Sequence, residues 1–422
     1  MLALVTLAMG LAPSQLFAQF GPVDPGQMGT AFTSGAFARG WEAVGVNPAA
    51  LGLPHRPRGS VAIPTFALRQ TLRPVGFRDV TAFQGTPIPR AEREAWIRHI
   101  DSAGGQEGSG SAQVAGLSGS WGTVGFQHVT TAWADARLNP AAAELLLFGN
   151  AGRTGEPGDF ALEGSRLDLG AFSTFSVAAA LPLVSEGEGS RGLALGVGLR
   201  FLVAHGLVMA RDLGSLVGAD PVAVELNFPL VTPAGRSMGW DRGRGVGLDL
   251  GSAWSAGPWT GFLTVQDAVN TFGWDLAQME FRPGTAAFEE GRGSSDFEPR
   301  PLEEAPDALL SEVEDLSFRP ALVVGAGYSG TGDLRVSAQL RRKGAGGIRP
   351  GPRTQAGVGA EWGRWSAVPL RVGVAYVSDG VRVGGGAGLV FRSMALSAAL
   401  LHESGPRGSG HHLSLGLSGA WF

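Results

Sequence analysis

The sequence predicts an all-β fold, a transmembrane antiparallel barrel of about fourteen strands with an N-terminal plug, on three observations. Apolar residues alternate with small or polar ones over runs of about ten residues. The connections between these runs alternate in length, with every long one at the same end, although 379–380 and 403–409 at that end are short as well. Glycine, 67 of 422 residues, is spread over the whole length; each interior glycine costs a helix roughly 1 kcal/mol relative to alanine, whereas turns between strands absorb it. A chain that is 44% hydrophobic and 17% charged nevertheless holds no run of the ~20 apolar residues that a spanning helix needs.

Taken in order, Met1 to Ala18 carry an apolar stretch from Leu2 to Leu11, a breaker at Pro13, and Leu16-Phe17-Ala18 before Gln19. This reads as a secretory signal over 1–18, departing from the usual pattern in that no Lys or Arg follows Met1. Residues 19–57 form a separate plug segment, and 58–422 the barrel. Strands are expected near 59–69, 111–120, 122–132, 166–181, 192–205, 244–254, 258–270, 319–328, 332–341, 354–363, 369–378, 381–391, 394–402 and 410–421. The first is the least regular, since Pro64 interrupts it and 75–83 competes with it.

Two strands show the alternation most clearly. Leu193, Leu195, Val197, Leu199, Phe201 and Val203 fall on one face, with Ala194, Gly196, Gly198 and Arg200 on the other. Leu334, Val336, Ala338 and Leu340 face outward, with Arg335, Ser337, Gln339 and Arg341 inward. A soluble sandwich could also use this pattern. The parity of the connections separates the two cases: 70–110, 133–165, 206–243 and 271–318 are long and all fall at one end. Outer-membrane barrels have short periplasmic turns, long outer loops and an even strand number, which sets the expected location in the outer membrane among its lipids. The last strand places Leu413, Leu415, Leu417 and Trp421 on one face before Phe422. That terminal aromatic resembles, shifted by one position, the signal that barrel-assembly machinery reads.

Within the plug, Ala38-Arg39-Gly40 followed by Val46-Asn47-Pro48-Ala49-Ala50-Leu51 resembles the N-terminal region of the FadL-type long-chain fatty acid transporters. It is also similar to related uncharacterised barrels and to the PorV-like barrels used in secretion. The resemblance implies that Asn47, Pro48 and Ala49 lie in a hatch that plugs a fourteen-stranded barrel. Leu263-Thr-Val-Gln-Asp-Ala-Val-Asn270 with Trp274 looks like a strand-end motif of the same group, and Leu145 to Asn150 is similar to its uncharacterised branch. Read from chemistry alone, Pro48 fixes its own φ and pushes Asn47 out of the helical region. Asn47 can then satisfy nearby backbone groups or cap a short helix that starts at Pro48.

Other chemistry is weakly signalled. The chain has no cysteine, so no disulfide or thiolate metal site exists. A net charge of −4 gives no basic face for nucleic acid. Gly325-Ala-Gly-Tyr-Ser-Gly330 spells a dinucleotide fingerprint but runs into another strand instead of a helix. Gly235-Arg-Ser-Met-Gly239 spells a nucleophile elbow inside an outer loop, without the strand and helix that the motif needs. His411 and His412 are adjacent on a strand and point to opposite faces, so no metal is expected there. The acidic run from Glu303 to Asp315 carries Leu309, Leu310, Val313 and Leu316 at helical spacing and predicts an amphipathic loop helix. No cofactor and no enzyme activity are expected.

The functional expectation is a passive conduit for a hydrophobic small molecule, gated by the hatch. Its expected lumen residues are Arg200, Asp249, Arg335 and Arg341. A second loop helix over 89–100 offers Trp96, Ile97 and Ile100, either as a cap on a hydrophobic entrance or as packing against neighbouring loops. The alternative is a barrel that docks or shuttles exported proteins at the cell surface, which the PorV-like resemblance implies.

Overall fold

The structure, a computed structural model, describes residues 24–186, 191–219, 222–235, 239, 241–289, 291–331, 333–348, 352–363, 367–378, 380–405 and 408–422. The expected signal segment, residues 19–23 of the expected plug, and Ser237 of the elbow-like motif lie outside the described residues.

Fourteen antiparallel strands form a closed barrel. They are β1 (Gly59–Arg73), β2 (Gln106–Trp121), β3 (Val124–Leu138), β4 (Arg166–Glu186), β5 (Arg191–Arg211), β6 (Gly243–Ala256), β7 (Trp259–Asn270), β8 (Ala321–Ser329), β9 (Leu334–Lys343), β10 (Thr354–Trp362), β11 (Leu370–Val377), β12 (Gly380–Phe391), β13 (Met394–Gly405) and β14 (Gly408–Trp421). Every strand pairs with its sequence neighbour, and β1 closes on β14 from Gly59↔Trp421 to Leu72↔Ser409. Closure leaves the spanning wall without a free edge, the condition for crossing lipid with strands.

The alternation read from the sequence decides which side chains meet lipid. On β5, Leu193, Leu195, Val197, Leu199 and Phe201 are 38% to 54% exposed, whereas Ala194, Arg200 and Leu202 are at 5% or less. The short-turn end carries an aromatic belt of Trp121, Trp254, Trp259, Tyr328, Trp362, Phe391 and Trp421, all exposed. Trp121 leans on Trp421 across the closing seam, ring centroids 6.4 Å apart. Amphipathic rings at this level mark a membrane–water interface.

Three strands depart from their expected form for identifiable reasons. β1 forms in spite of Pro64, because its register against β14 slips between Ala62 and Thr65 and a bulge needs no donor from proline. The competing 75–83 run instead holds a short helix. β4 and β5 are longer than expected, at 21 residues each. His205 is an extra residue between Ala204 and Gly206, which pair with Phe172 and Ala171. The bulge flips the parity: Arg200, Leu202 and Ala204 point inward before it, Leu207 and Met209 after it. A strict alternation ends the strand at the bulge; the chain continues. The first three long connections accordingly shrink to 74–105, 139–165 and 212–242, while the fourth runs over 271–320.

Helices occupy the plug and the outer loops: α1 (Pro25–Gly29) and α2 (Trp41–Val46) in the plug, then α3 (Phe77–Thr81), α4 (Arg90–Ala103), α5 (Pro140–Phe148) and α6 (Asp307–Glu314). None of the described helices is long and apolar enough to cross a membrane. The outer loops also build a five-stranded sheet from Phe160–Ala161, Leu216–Ala219, Val222–Asn227, Thr285–Glu289 and Arg292–Asp296, which the sequence pattern did not announce.

Candidate functional site

Residues 24–57 lie against the inner wall of the barrel; besides bonds from the Trp41 N–H to Ser60 Oγ at 2.8 Å and from Gln266 Nε2 to the Gly45 carbonyl at 3.2 Å, two places hold them. At the C-terminal place, Pro48 opens a 3₁₀ turn, Pro48–Gly52, and Asn47 takes an extended conformation at φ −155°. Asn47 Oδ1 accepts from the Ala49 N–H at 3.1 Å, and its Nδ2 donates to the Ser252 carbonyl of β6 at 3.1 Å. One fully buried side chain therefore caps the turn and fastens it to the wall. The wall is cut away to receive it. Gly196 and Gly251 are cross-strand partners on β5 and β6; a Cβ at Gly196 would stand 2.1 Å from the Ala49 nitrogen, and one at Gly251 2.1 Å from Asn47 Oδ1.

At the N-terminal place, Asp24 caps α1 by accepting from the Gly26 and Gln27 N–H groups at 2.9 and 3.2 Å. The chain then turns through Ala31 and Phe32, both at positive φ (53° and 61°), a conformation that costs non-glycine residues about 1–3 kcal/mol each. Gln355 of β10 holds this turn by donating to the Ala31 carbonyl at 2.9 Å and the Phe32 carbonyl at 3.3 Å. Arg382 of β12 donates to Gln355 Oε1 at 3.1 Å and pairs with Glu403 of β13 at 2.8 Å. Glu403 also meets Arg69 of β1 at 3.2 Å and His412 of β14 at 3.7 Å. The strained turn of the plug is thus tied through the lumen to the seam that closes the barrel.

Between these places the plug carries charge. Burial, followed by the neighbouring Asp24 carboxylate, pushes the Glu42 carboxyl up to about 8, against the pull of Arg371. Burial also raises Asp24 and, together with Arg335, lowers the Arg39 guanidinium to about 10.

The expected lumen residues are inward-facing but do not form one cluster. Arg200 and Asp249 meet at 2.7 Å. Arg341 is buried with its Nε unpartnered among the described residues. Arg335 sits nearer the short-turn end, 3.3 Å from Glu361 and over the Phe37 ring of the plug at 5.8 Å. Sequence reasoning missed the third member of the first pair, Asp267, which lies 2.5 Å from Arg200 Nη2. Leu263 and Val265 face out, so alternation would send Asp267 into lipid. A register shift between Leu248 and Leu250 of β6, opposite Val269 and Val265, together with a positive φ of 53° at Asp267, turns it inward instead. Arg69, Arg382 and Glu403 were also missed; Arg382 lies between the outward Val381 and Val383 and was readable by the same parity.

The strand-end motif links this polar layer to the mouth. Asp267 Oδ1 accepts from Asn270 Nδ2 at 2.6 Å, and Asn270 Oδ1 accepts from the Phe272 N–H at 2.8 Å. Phe272 and Trp274 are thereby aimed into a buried cluster with Phe172, Phe318, Leu309 and Val313, packed against Trp133. The Phe272–Phe318 and Phe172–Phe318 ring centroids lie 5.0 and 5.4 Å apart. Leu309 and Val313 come from α6, the helix expected over the acidic run. Trp96, Ile97 and Ile100 of α4 lie elsewhere, buried among Val75 and Ala143, with Arg93 of the same helix donating to the Leu147 carbonyl of α5 at 2.8 Å. They pack loop on loop.

Solved structures share this architecture over nearly the whole chain. A Pseudomonas aeruginosa FadL homologue matches at 12% identity and a TM-score of 0.50, covering 97% of this chain and 100% of that one. The Ralstonia pickettii toluene transporter TbuX matches at 14% identity and a TM-score of 0.50, covering 96% and 99%. The Pseudomonas putida toluene transporter TodX matches at 11% identity and a TM-score of 0.54, covering 96% and 99%. No family model matches the chain, nor does any curated protein sequence. The fold is that of the FadL-type barrels.

Proposed function

We propose that the chain is an outer-membrane channel through which a hydrophobic small molecule passes down its own gradient, captured at the mouth and gated by the plug. The observation that carries this reading is the aromatic cluster under the outer loops, built on a barrel whose structural relatives include two toluene transporters. Packed aromatic rings favour apolar, planar ligands. The polar layer of Arg200, Asp249 and Asp267 beneath the cluster repels such a molecule, so passage is slow unless the plug or wall yields.

Proteoliposomes holding the full chain are expected to admit a monoaromatic probe faster than empty vesicles, and Trp274→Ala is expected to change the rate. Equal rates in loaded and empty vesicles would end the transport reading. Outer-leaflet and inner-leaflet lipids are the partners of the exposed belt in this reading, and the β14 strand ending in Trp421-Phe422 is the segment offered to assembly machinery. A second reading, docking of an exported protein, is favoured by one feature: the Arg292–Asp296 strand is an edge of the outer sheet among the described residues and presents unpaired backbone groups. Co-purification of a secreted protein that is lost when Ser294 is replaced by proline would support it.

A further inference from the structure

The channel reading leaves unused a pair of histidines on the outward face of the last two strands. His402 of β13 and His411 of β14 are direct cross-strand partners. They stand one step beyond the lipid-facing pair Leu400 and Leu413, which are 65% and 40% exposed, and one step before Ser404↔Ser409 at the long-loop rim. Gln70 of β1 lies opposite His411 on the other side. The sequence-adjacent His411 and His412 do point to opposite faces, as strand geometry requires; His412 is buried on the Glu403 side. The partner that matters to His411 is nine residues earlier in the chain and becomes visible only through the register.

The two Nδ1 atoms are 3.4 Å apart, with ring centroids at 4.8 Å and ring planes at 40°. A tetrahedral ion bound at 2.0–2.1 Å by each of two nitrogens sets them about 3.3 Å apart. Each neutral imidazole offers one nitrogen lone pair, and a cation between the rings can accept both. Among the described residues no third His, Asp or Glu joins the pair, so water or the Gln70 amide would complete the coordination.

We propose that His402 and His411 together bind one divalent transition-metal ion of the class that prefers imidazole, Zn²⁺, Ni²⁺ or Cu²⁺, at the outer rim of the barrel. The ion bridges β13 and β14 beside the β14–β1 seam, and because the unfolded chain does not hold the two rings together, binding stabilises the closed barrel. Magnesium and calcium, which take oxygen ligands, are excluded by the donor set.

The test uses the full chain, purified in detergent without a polyhistidine tag and titrated with Cu²⁺. The expected result is one tightly bound ion per chain whose electron paramagnetic resonance spectrum shows coupling to two imidazole nitrogens. His402→Gln and His411→Gln each lose that two-nitrogen coupling, whereas His55→Gln and His99→Gln keep it. Zn²⁺ added to the copper-free protein raises the unfolding temperature of the wild type but of neither of the first two variants. A wild-type spectrum lacking two-nitrogen coupling, or coupling that survives either substitution, overturns the proposal. Should a variant fail to assemble, the wild-type copper spectrum and the Zn²⁺-dependent rise in unfolding temperature still decide; a hydrogen bond between the two rings, without metal, would give neither.

Discussion

The two places where the plug meets the wall differ in kind. The Asn47 end is neutral and close: backbone rests on backbone, and one amide side chain makes two bonds. The Ala31 end is strained and charged: two left-handed residues are held by Gln355, which is held in turn by Arg382 and Glu403. Close packing is insensitive to pH and salt, whereas a chain of charge-assisted bonds responds to both. In the proposed gated channel, this difference predicts that the Asn47 end acts as the hinge and the Ala31 end as the part that releases.

The largest effect is expected from filling the notch that the hinge occupies. Gly196→Val places a Cβ 2.1 Å from the Ala49 nitrogen, and no side-chain movement relieves a backbone collision. The barrel is expected to assemble, since β5 keeps its register, while the plug is displaced. Planar-bilayer recordings should show a conductance several-fold above wild type. Wild-type conductance would show that the plug tolerates a shift at this end and that the assignment of hinge is wrong.

Gln355→Ala attacks the other end. It strands two buried carbonyls and one Arg382 donor, each unmet group costing about 1–3 kcal/mol, and leaves the Ala31–Phe32 strain unsupported. Faster hydrogen exchange confined to residues 24–37 is the expected outcome. Exchange that rises equally over 41–53 would mean that the plug moves as one body and the comparison fails. Asn47→Ala ranks below it, because one cap is worth about 1 kcal/mol and the Ser252 carbonyl can find water. Here exchange should rise over 47–53 and leave 24–37 unchanged.

How far the sequence carried these distinctions depends on parity. All fourteen strands were readable because lipid demands an apolar residue at every second position and the four long connections all fall at one end. Arg200 and Asp249 were readable for the same reason. Asp267, Leu207 and Met209 were not, because a bulge inverts the face and leaves no local mark: Gln266-Asp267 and His205-Gly206 look like ordinary strand residues. The plug shows a third case. Asn47-Pro48 announces a cap and an extended residue before it, and both are present; nothing in Thr30-Ala31-Phe32 announces a left-handed turn, since the residue that stabilises it, Gln355, is 324 positions away from Ala31. Long-range partners, more than local propensity, decide where such strain persists.

The smallest expected effect tests the charge that lies between the two places. Glu42 lies in α2, and its carboxyl is raised from 4.5 to about 8 by burial and by Asp24. The seated plug therefore binds one proton more than the released plug between these two values. Release is accordingly favoured as pH rises through that window and becomes independent of Glu42 above it, because the seated state prefers the neutral acid. Conductance should climb modestly from pH 5 to pH 8.5 in the wild type, and Glu42→Gln, which copies the neutral form, should flatten the climb while keeping the low-pH value. If Glu42→Gln rises with pH as steeply as the wild type, the charge that loosens the plug is carried by another group, and the Gln355–Arg382–Glu403 chain becomes the place to look.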